Sequence, residues 1–333
     1  MRLIDDVRRR RGREVIPITV VVPTLNRRDR LEETLDALRR QTYPLFEVVV
    51  VNGPSTDGTA EMVKGFASRA RVLTCPEASA TVSRNIGVQN GAGDIIALID
   101  DDAIPRPDWL EQLAAPFGDE RVGAVGGPVF DVPLDRVEWK VCTSTRLGVV
   151  DTDSPGPIGR YQGVGSDPFA YFAGCNMALR RSVVHEVGGF NAAMPYVYDD
   201  AEFCCRLHDA GYRVEYVESA LVRHYRAVSA MRDGQQIITD PYTLALGRIV
   251  FASHCQSSPD KREEVFRLAG QWEQEWVAHA SAHVASGRFS RKDYHRFVER
   301  AALGTAEGVT RGRRPRPFTT IGPPPLAEFR QYR

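Results

Sequence analysis

Through the first third of the chain, short β-branched runs alternate with stretches whose apolar residues recur about every three to four positions. Residues 18–22 read as a buried strand, 46–51 as a second, 71–74 as a short third and 95–99 as a fourth. Between the first two, Leu31, Leu35 and Leu38 mark one helix face, with Asn26 placed to cap the helix and Tyr43-Pro44 to stop it. Ser55-Thr56-Asp57-Gly58 predicts a turn and cap for a helix turning Met62, Val63 and Phe66 inward. A further helix near 82–90 ends at Gly91-Ala92-Gly93. The order βαβαβαβ predicts an α/β fold with a mostly parallel sheet flanked by helices.

The pattern weakens from Gly118 to about Tyr171, and 151–169 is dense enough in Gly, Pro, Ser and Asp to predict a long loop. Beyond about Met231 the strand signals stop. Val265, Leu268, Trp272 and Trp276 then recur at helical spacing, which predicts a separate C-terminal helical appendage. The expected organisation is a basic leader over 1–16, a main domain over 17–228, a helical region over 229–310, and a basic, Pro-rich tail over 311–333 with little that could pack.

Composition narrows the function classes. The 333 residues carry 43 Lys plus Arg against 43 Asp plus Glu, so the chain as a whole is no polyelectrolyte for nucleic acid. No apolar run approaches the roughly 18–20 residues of a membrane span, and no secretory leader is evident. A cytoplasmic protein is expected, with the Arg-rich ends able to make peripheral contact at the inner face of the membrane. The six cysteines lack metal-ligand spacing and read as reduced thiols. His279 and His283 share a helix face but lack the Glu of a zinc-protease motif, and neither G-x-G-x-x-G nor a P-loop is present.

Three carboxylates, Asp100, Asp101 and Asp102, close the fourth strand. Residues two apart on a strand share a face, so Asp100 and Asp102 point together at its carboxyl end, where open α/β sheets bind ligands. Two hard oxygen donors there suit Mg²⁺ or Mn²⁺ beside a diphosphate. A second acidic group, Asp199, Asp200 and Glu202, heads a helix, and His224 ends a later strand.

Taken in order, these segments resemble the family 2 glycosyltransferases of GT-A fold, over about residues 17–228. Val22-Pro23-Thr24-Leu25-Asn26-Arg27, Ser55-Thr56-Asp57-Gly58-Thr59, Ser83-Arg84-Asn85-Ile86-Gly87 and Asp100-Asp101-Asp102 are similar to successive family motifs. Further on, Gly174-Cys175-Asn176-Met177-Ala178, Gly188-Gly189-Phe190 and Asp199-Asp200 continue the likeness. The chain departs from the pattern at Asn52, where an acid usually reads uracil, at Asn191, and at Asp199, which replaces Glu.

The resemblance implies a metal-dependent inverting transfer of a sugar from a nucleoside-diphosphate sugar to a hydroxyl, in polysaccharide, glycolipid or cell-envelope glycan synthesis. UDP is the first choice of nucleotide, TDP or GDP the next. Asp102, Asp100 and His224 would hold the metal, and Asp200, with Asp199 beside it, would act as general base. Pro23, Thr24, Asn26, Asn52, Arg84, Asp100 and Asp101 would face the nucleotide, and Asn176 and Glu202 the acceptor. The expected partners are the donor and a glycan or lipid-linked acceptor, and the C-terminal helices offer a surface for a homodimer. The competing readings are a catalytically silent nucleotide- or glycan-binding module and a sugar-phosphate nucleotidyltransferase.

Overall fold

Seven strands form the central sheet in the computed structural model, which describes residues 15–226, 229, 231–322 and 329–332. β1 (Ile18–Thr24), β2 (Phe46–Asn52), β3 (Arg71–Thr74) and β4 (Ile95–Leu98) come from the first third of the chain. β1 runs parallel to both β2 and β4, and β2 parallel to β3. These strands are apolar on both faces because helices cover both. Then follow β5 (Ala103–Pro105), β6 (Val122–Gly126), β7 (Val129–Asp131), β8 (Arg136–Trp139), β9 (Cys142–Ser144), β10 (Val150–Asp151), β11 (Phe169–Tyr171), β12 (Met177–Arg180), β13 (Arg213–Tyr216) and β14 (Val222–His224). The main sheet is ordered β13-β6-β12-β4-β1-β2-β3, with β12 antiparallel to β4 and β6. Two smaller sheets, β5-β14-β7-β8 and β10-β9-β11, flank it.

The stretch expected to be poor in structure, 118–171, therefore holds six short strands. Each is too short to carry a visible period. Among the helices, α1 (Arg28–Arg39), α2 (Thr59–Lys64), α3 (Ala80–Asn90), α4 (Trp109–Ala114), α5 (Arg181–Val187) and α6 (Asp199–Asp209) pack around the sheet. α1 buries Leu31, Leu35 and Leu38, as its spacing predicts. Asn26 does not cap it. That residue sits at φ 55°, and the entering Arg27 and Arg28 N–H groups instead donate to Thr59 Oγ1 at 3.1 Å and Asp57 Oδ2 at 3.2 Å. α3 crosses β1 at Gly87, where a Cβ would stand 2.3 Å from Val21 Cγ1, so only glycine permits that approach.

α7 (Tyr242–His254), α8 (Pro259–Ala285) and α9 (Arg291–Gly312) form the expected C-terminal helices, but they are not separate from the rest. Leu246, Ile249, Val250 and Phe251 share one core with Phe169, Leu179, Phe190 and Phe203. Burial of each such side chain is worth about 1.5–3 kcal/mol, which binds the helices to the sheet. The tail also packs. Ile321 and Tyr332 are buried, and Tyr332 donates its hydroxyl to Leu35 O at 3.1 Å and its N–H to Phe46 O at 3.0 Å. Residues 1–14 of the expected leader, the boundary at 228, and 323–328 of the tail lie outside the described residues. Among the described residues, no helix is long and apolar enough to cross a membrane.

Candidate active site

β1 and β2 end level, Thr24 paired with Asn52, and β4 is last paired at Leu98, opposite Val21. Two residues further on, the chain reaches Asp100 beside the ends of those strands. β5 then runs antiparallel to β14, with Ala103 opposite His224, and Tyr225 N donates to Asp102 O at 2.9 Å. That pairing brings the distant histidine to the acidic turn. His224 Nε2 lies 3.0 Å from Asp102 Oδ1 and 3.9 Å from Asp100 Oδ2, and one donor atom from each residue falls within 4.8 Å of the others.

The electrostatics of this triad suit a cation. Burial, with Asp102 and Asp199 nearby, raises the pKa of Asp100 against the pull of Arg84 and His224. Asp101 is pushed up to about 8 by burial and by its two acidic neighbours. Burial opposes a charge on His224, but Asp102 and Asp100 outweigh it and raise its pKa. His224 Nδ1 is buried without a hydrogen-bond partner among the described residues. Two carboxylates and one imidazole form an O,O,N set that fits Mg²⁺ or Mn²⁺.

Arg84 joins this turn to the second acidic group. It projects from α3, is 5% exposed, donates to Asp199 Oδ2, and approaches Asp100 Oδ1 at 3.4 Å. Burial works against its charge, and Asp199, Asp100 and Asp200 more than restore it. Asp200, at the head of α6, accepts from Gly174 N at 3.0 Å and from Ala201 N at 2.7 Å. Its pKa is raised to about 6 by burial and by Asp199, with Arg84 opposing. Gly174 was not singled out from the motif that contains it. A Cβ there would lie 2.5 Å from the Arg84 guanidinium, so the position admits nothing larger.

The residues expected on the nucleotide side divide in two. Asn52 Oδ1 accepts from Ser55 Oγ at 2.8 Å, Ser55 Oγ accepts from Asn26 N at 3.0 Å, and Asn26 Oδ1 accepts from Thr56 N at 2.7 Å. Asn26 is thus the latch of a turn, while Asn52, Thr24 and the half-buried Pro23 stand at the strand ends. Asp101 lies 3.9 Å from Arg27.

The two residues expected on the acceptor side are placed elsewhere. Asn176 is fully buried, accepting from Trp109 Nε1 at 2.8 Å and donating to Pro128 O and Ala220 O at 3.0 and 2.8 Å. Glu202 is fully buried against Arg206 at 2.8 Å, one helical turn away. Both are spent on holding elements together. His279 and His283 stand with Nε2 atoms 3.1 Å apart in the α8–α9 region, and no third ligand type adjoins them among the described residues.

The profile described as glycosyl transferase family 2 matches residues 19–188, just over half of the chain. Glycosyltransferase AglE of Haloferax volcanii is 26% identical over 215 residues, covering 62% of this chain and 66% of that protein. A glucosyl-dolichyl phosphate glucuronosyltransferase of the same organism is 29% identical over 63% of this chain and 68% of its own. For a pre-mycofactocin glycosyltransferase of Mycobacterium tuberculosis the figures are 29%, 62% and 42%. The matched segment thus spans slightly under two thirds of AglE and less than half of the mycofactocin protein.

Two solved structures share the architecture. The mannosyltransferase PcManGT of Pyrobaculum calidifontis, in complex with GDP-Man and Mn²⁺, aligns with a TM-score of 0.51 at 20% identity, covering 89% of this chain and 87% of its own. TarS 1–349 of S. aureus, in complex with UDP, aligns at 0.52 and 16% identity, covering 90% and 89%. At these identities the likeness establishes the fold, which is GT-A. The family profile covers just over half of the chain, and the chain belongs to glycosyl transferase family 2.

Proposed function

We propose that the chain is a metal-dependent inverting glycosyltransferase that moves a sugar from a nucleoside-diphosphate sugar, UDP foremost, to a hydroxyl of a glycan or lipid-linked acceptor. The single observation that carries this reading is the linked acidic cluster: Asp100, Asp102 and His224 lie together, and Arg84 reaches from Asp100 to Asp199, which Asp200 follows at the head of α6. Asp102, Asp100 and His224 would hold Mg²⁺ or Mn²⁺, which supplies positive charge for the diphosphate leaving group. Asp200 accepts the acceptor's hydroxyl proton as its oxygen attacks the anomeric carbon from the face opposite the diphosphate. The backbone N–H groups of Gly174 and Ala201 fix that carboxylate's plane, and Arg84 fixes Asp199 beside it.

The choice of donor is supported by the company the fold keeps: related structures hold UDP or GDP-Man, and Mn²⁺ in the latter case. One relative's name includes glucosyl-dolichyl phosphate, which favours lipid-linked glycan synthesis and a peripheral place at the membrane. A panel of UDP-, TDP- and GDP-sugars, incubated with the protein and Mn²⁺ or with a chelator, tests the reading. Diphosphate release from at least one donor, lost on chelation, is the expected result. No release from any donor, or release indifferent to the chelator, overturns it.

A further inference from the structure

His224 reaches the acidic turn from a different strand, and its main chain is fixed on both sides. β14 sets it opposite Ala103 of β5 and opposite Asp131 of β7, and its carbonyl accepts from Val132 N at 2.9 Å. The ring is another matter. The χ2 torsion of a histidine is broad, so strand pairing does not decide the plane in which the imidazole lies. The contact of Nε2 with Asp102 holds the ring only while a proton lies between them, and a cation bound by both displaces that proton. Histidines that bind metals are usually oriented by donating the second ring N–H to a carboxylate or carbonyl. Here Nδ1 is buried and has no such acceptor among the described residues.

A ring contact stands where that hydrogen bond is missing. The Trp139 indole lies against His224 with centroids 5.9 Å apart and planes tilted by 39°. Trp139 is in turn held by Arg226, whose guanidinium carbon stands 5.0 Å from the centre of the indole. Arg226 is itself pinned: its Nη2 donates to Glu138 Oε1 at 2.8 Å, and its Nε lies 3.3 Å from Oδ2 of the fully buried Asp131. The other Asp131 oxygen accepts from Leu134 N at 2.8 Å, which closes the hairpin between β7 and β8 that carries Trp139.

Resting on the metal-dependent reading above, we propose that Trp139 is a positioning residue for the metal site. Its indole, clamped by Arg226, sets the plane of the His224 imidazole so that Nε2 faces Asp100 and Asp102 before a cation arrives. In this role Trp139 ligates nothing itself and acts only through His224. Loss of the indole leaves the imidazole free to turn, and the effect appears as weaker cation binding rather than a slower chemical step.

The test measures Mn²⁺ affinity of the full chain from the electron paramagnetic resonance signal of free Mn²⁺. Trp139 is half-buried on an edge strand, so its replacement leaves the main core intact. His224→Ala and Trp139→Leu should each raise the Mn²⁺ Kd by about tenfold or more, and Trp139→Phe, which keeps a ring, by about threefold or less. Arg226→Lys keeps a charge for Asp131 and Glu138 but loses the flat face on the indole, and should raise the Kd by about threefold or more. Trp139→Leu combined with His224→Ala should stay within about twofold of His224→Ala alone, because a residue that acts through His224 then has nothing to act on. A Kd unmoved in either Trp139→Leu or Arg226→Lys overturns the proposal. So do effects of Trp139→Leu and His224→Ala that multiply in the double variant, as a general structural defect would. Wild type that binds no Mn²⁺, or binding indifferent to His224→Ala, marks failure of the triad itself, and the role of Trp139 falls with it.

Discussion

Arg84 on α3 donates to Asp199 at the head of α6, a contact between residues 115 apart in sequence that joins the acidic turn after β4 to the acidic head of α6. Both side chains are nearly inaccessible, and Asp100 approaches the same guanidinium. Removing one partner of a buried pair leaves an uncompensated charge, at a cost of about 3–5 kcal/mol. Arg84→Met should therefore lower the unfolding free energy in urea by that amount. Arg84→Met combined with Asp199→Asn should recover part of the loss, since the stranded charge is gone.

Asp200 supplies a pH signature. Its folded-state pKa, raised to about 6, lies above the ordinary carboxylate value, so the base form is lost as pH falls through that window. Turnover at saturating donor should decline below about pH 6, toward a tenfold loss per unit. Asp200→Asn should remove this limb and cut transfer by about two to four orders of magnitude, while Asp199→Asn does less.

The tail is a strap, and its removal should be felt far from its own position. Tyr332 packs against Phe46 with ring centroids 6.0 Å apart, and Arg330 N donates to Glu47 Oε2 at 3.3 Å inside the sheet. Tyr332→Ala should cost about 3 kcal/mol in urea unfolding, the scale of truncating a buried aromatic. A midpoint unchanged from wild type would return the tail to the solvated role its composition suggests.

Asn52 offers a test of base selection. Its Oδ1 is engaged by Ser55 Oγ, so the amide N–H donors remain to face a base. Uridine and thymidine diphosphates should bind within about tenfold of each other. Asn52→Asp keeps an acceptor for Ser55, adds one for the base N3–H, and should sharpen preference for both over cytidine diphosphate in titration calorimetry. Asn52→Ala without effect on affinity or preference would take this residue out of base contact.

What the sequence made legible follows from how local each signal is. The spacing of Leu31, Leu35 and Leu38 is short-range and held; Asp100 and Asp102 do converge, but from the turn after β4, which ends at Leu98, and not through strand alternation. His224 joined them through an order of motifs, not through geometry that a single chain reveals. Asn176 and Glu202 were expected on the acceptor side, yet their side chains turn into the protein, because a motif locates a backbone and not a direction. The Glu202–Arg206 pair, four apart on a helix, was the available clue. Ile321 and Tyr332 gave no clue, since isolated apolar residues among Pro and Arg carry no period.

The stereochemistry of transfer tests the central claim most directly. With water as acceptor, proton NMR reads the first-formed anomer of the sugar released from an α-linked nucleoside-diphosphate donor, before mutarotation. A single displacement assisted by Asp200 predicts the β anomer, formed at a rate that collapses in Asp200→Asn. The α anomer, or β anomer formed equally fast without the Asp200 carboxylate, would contradict it.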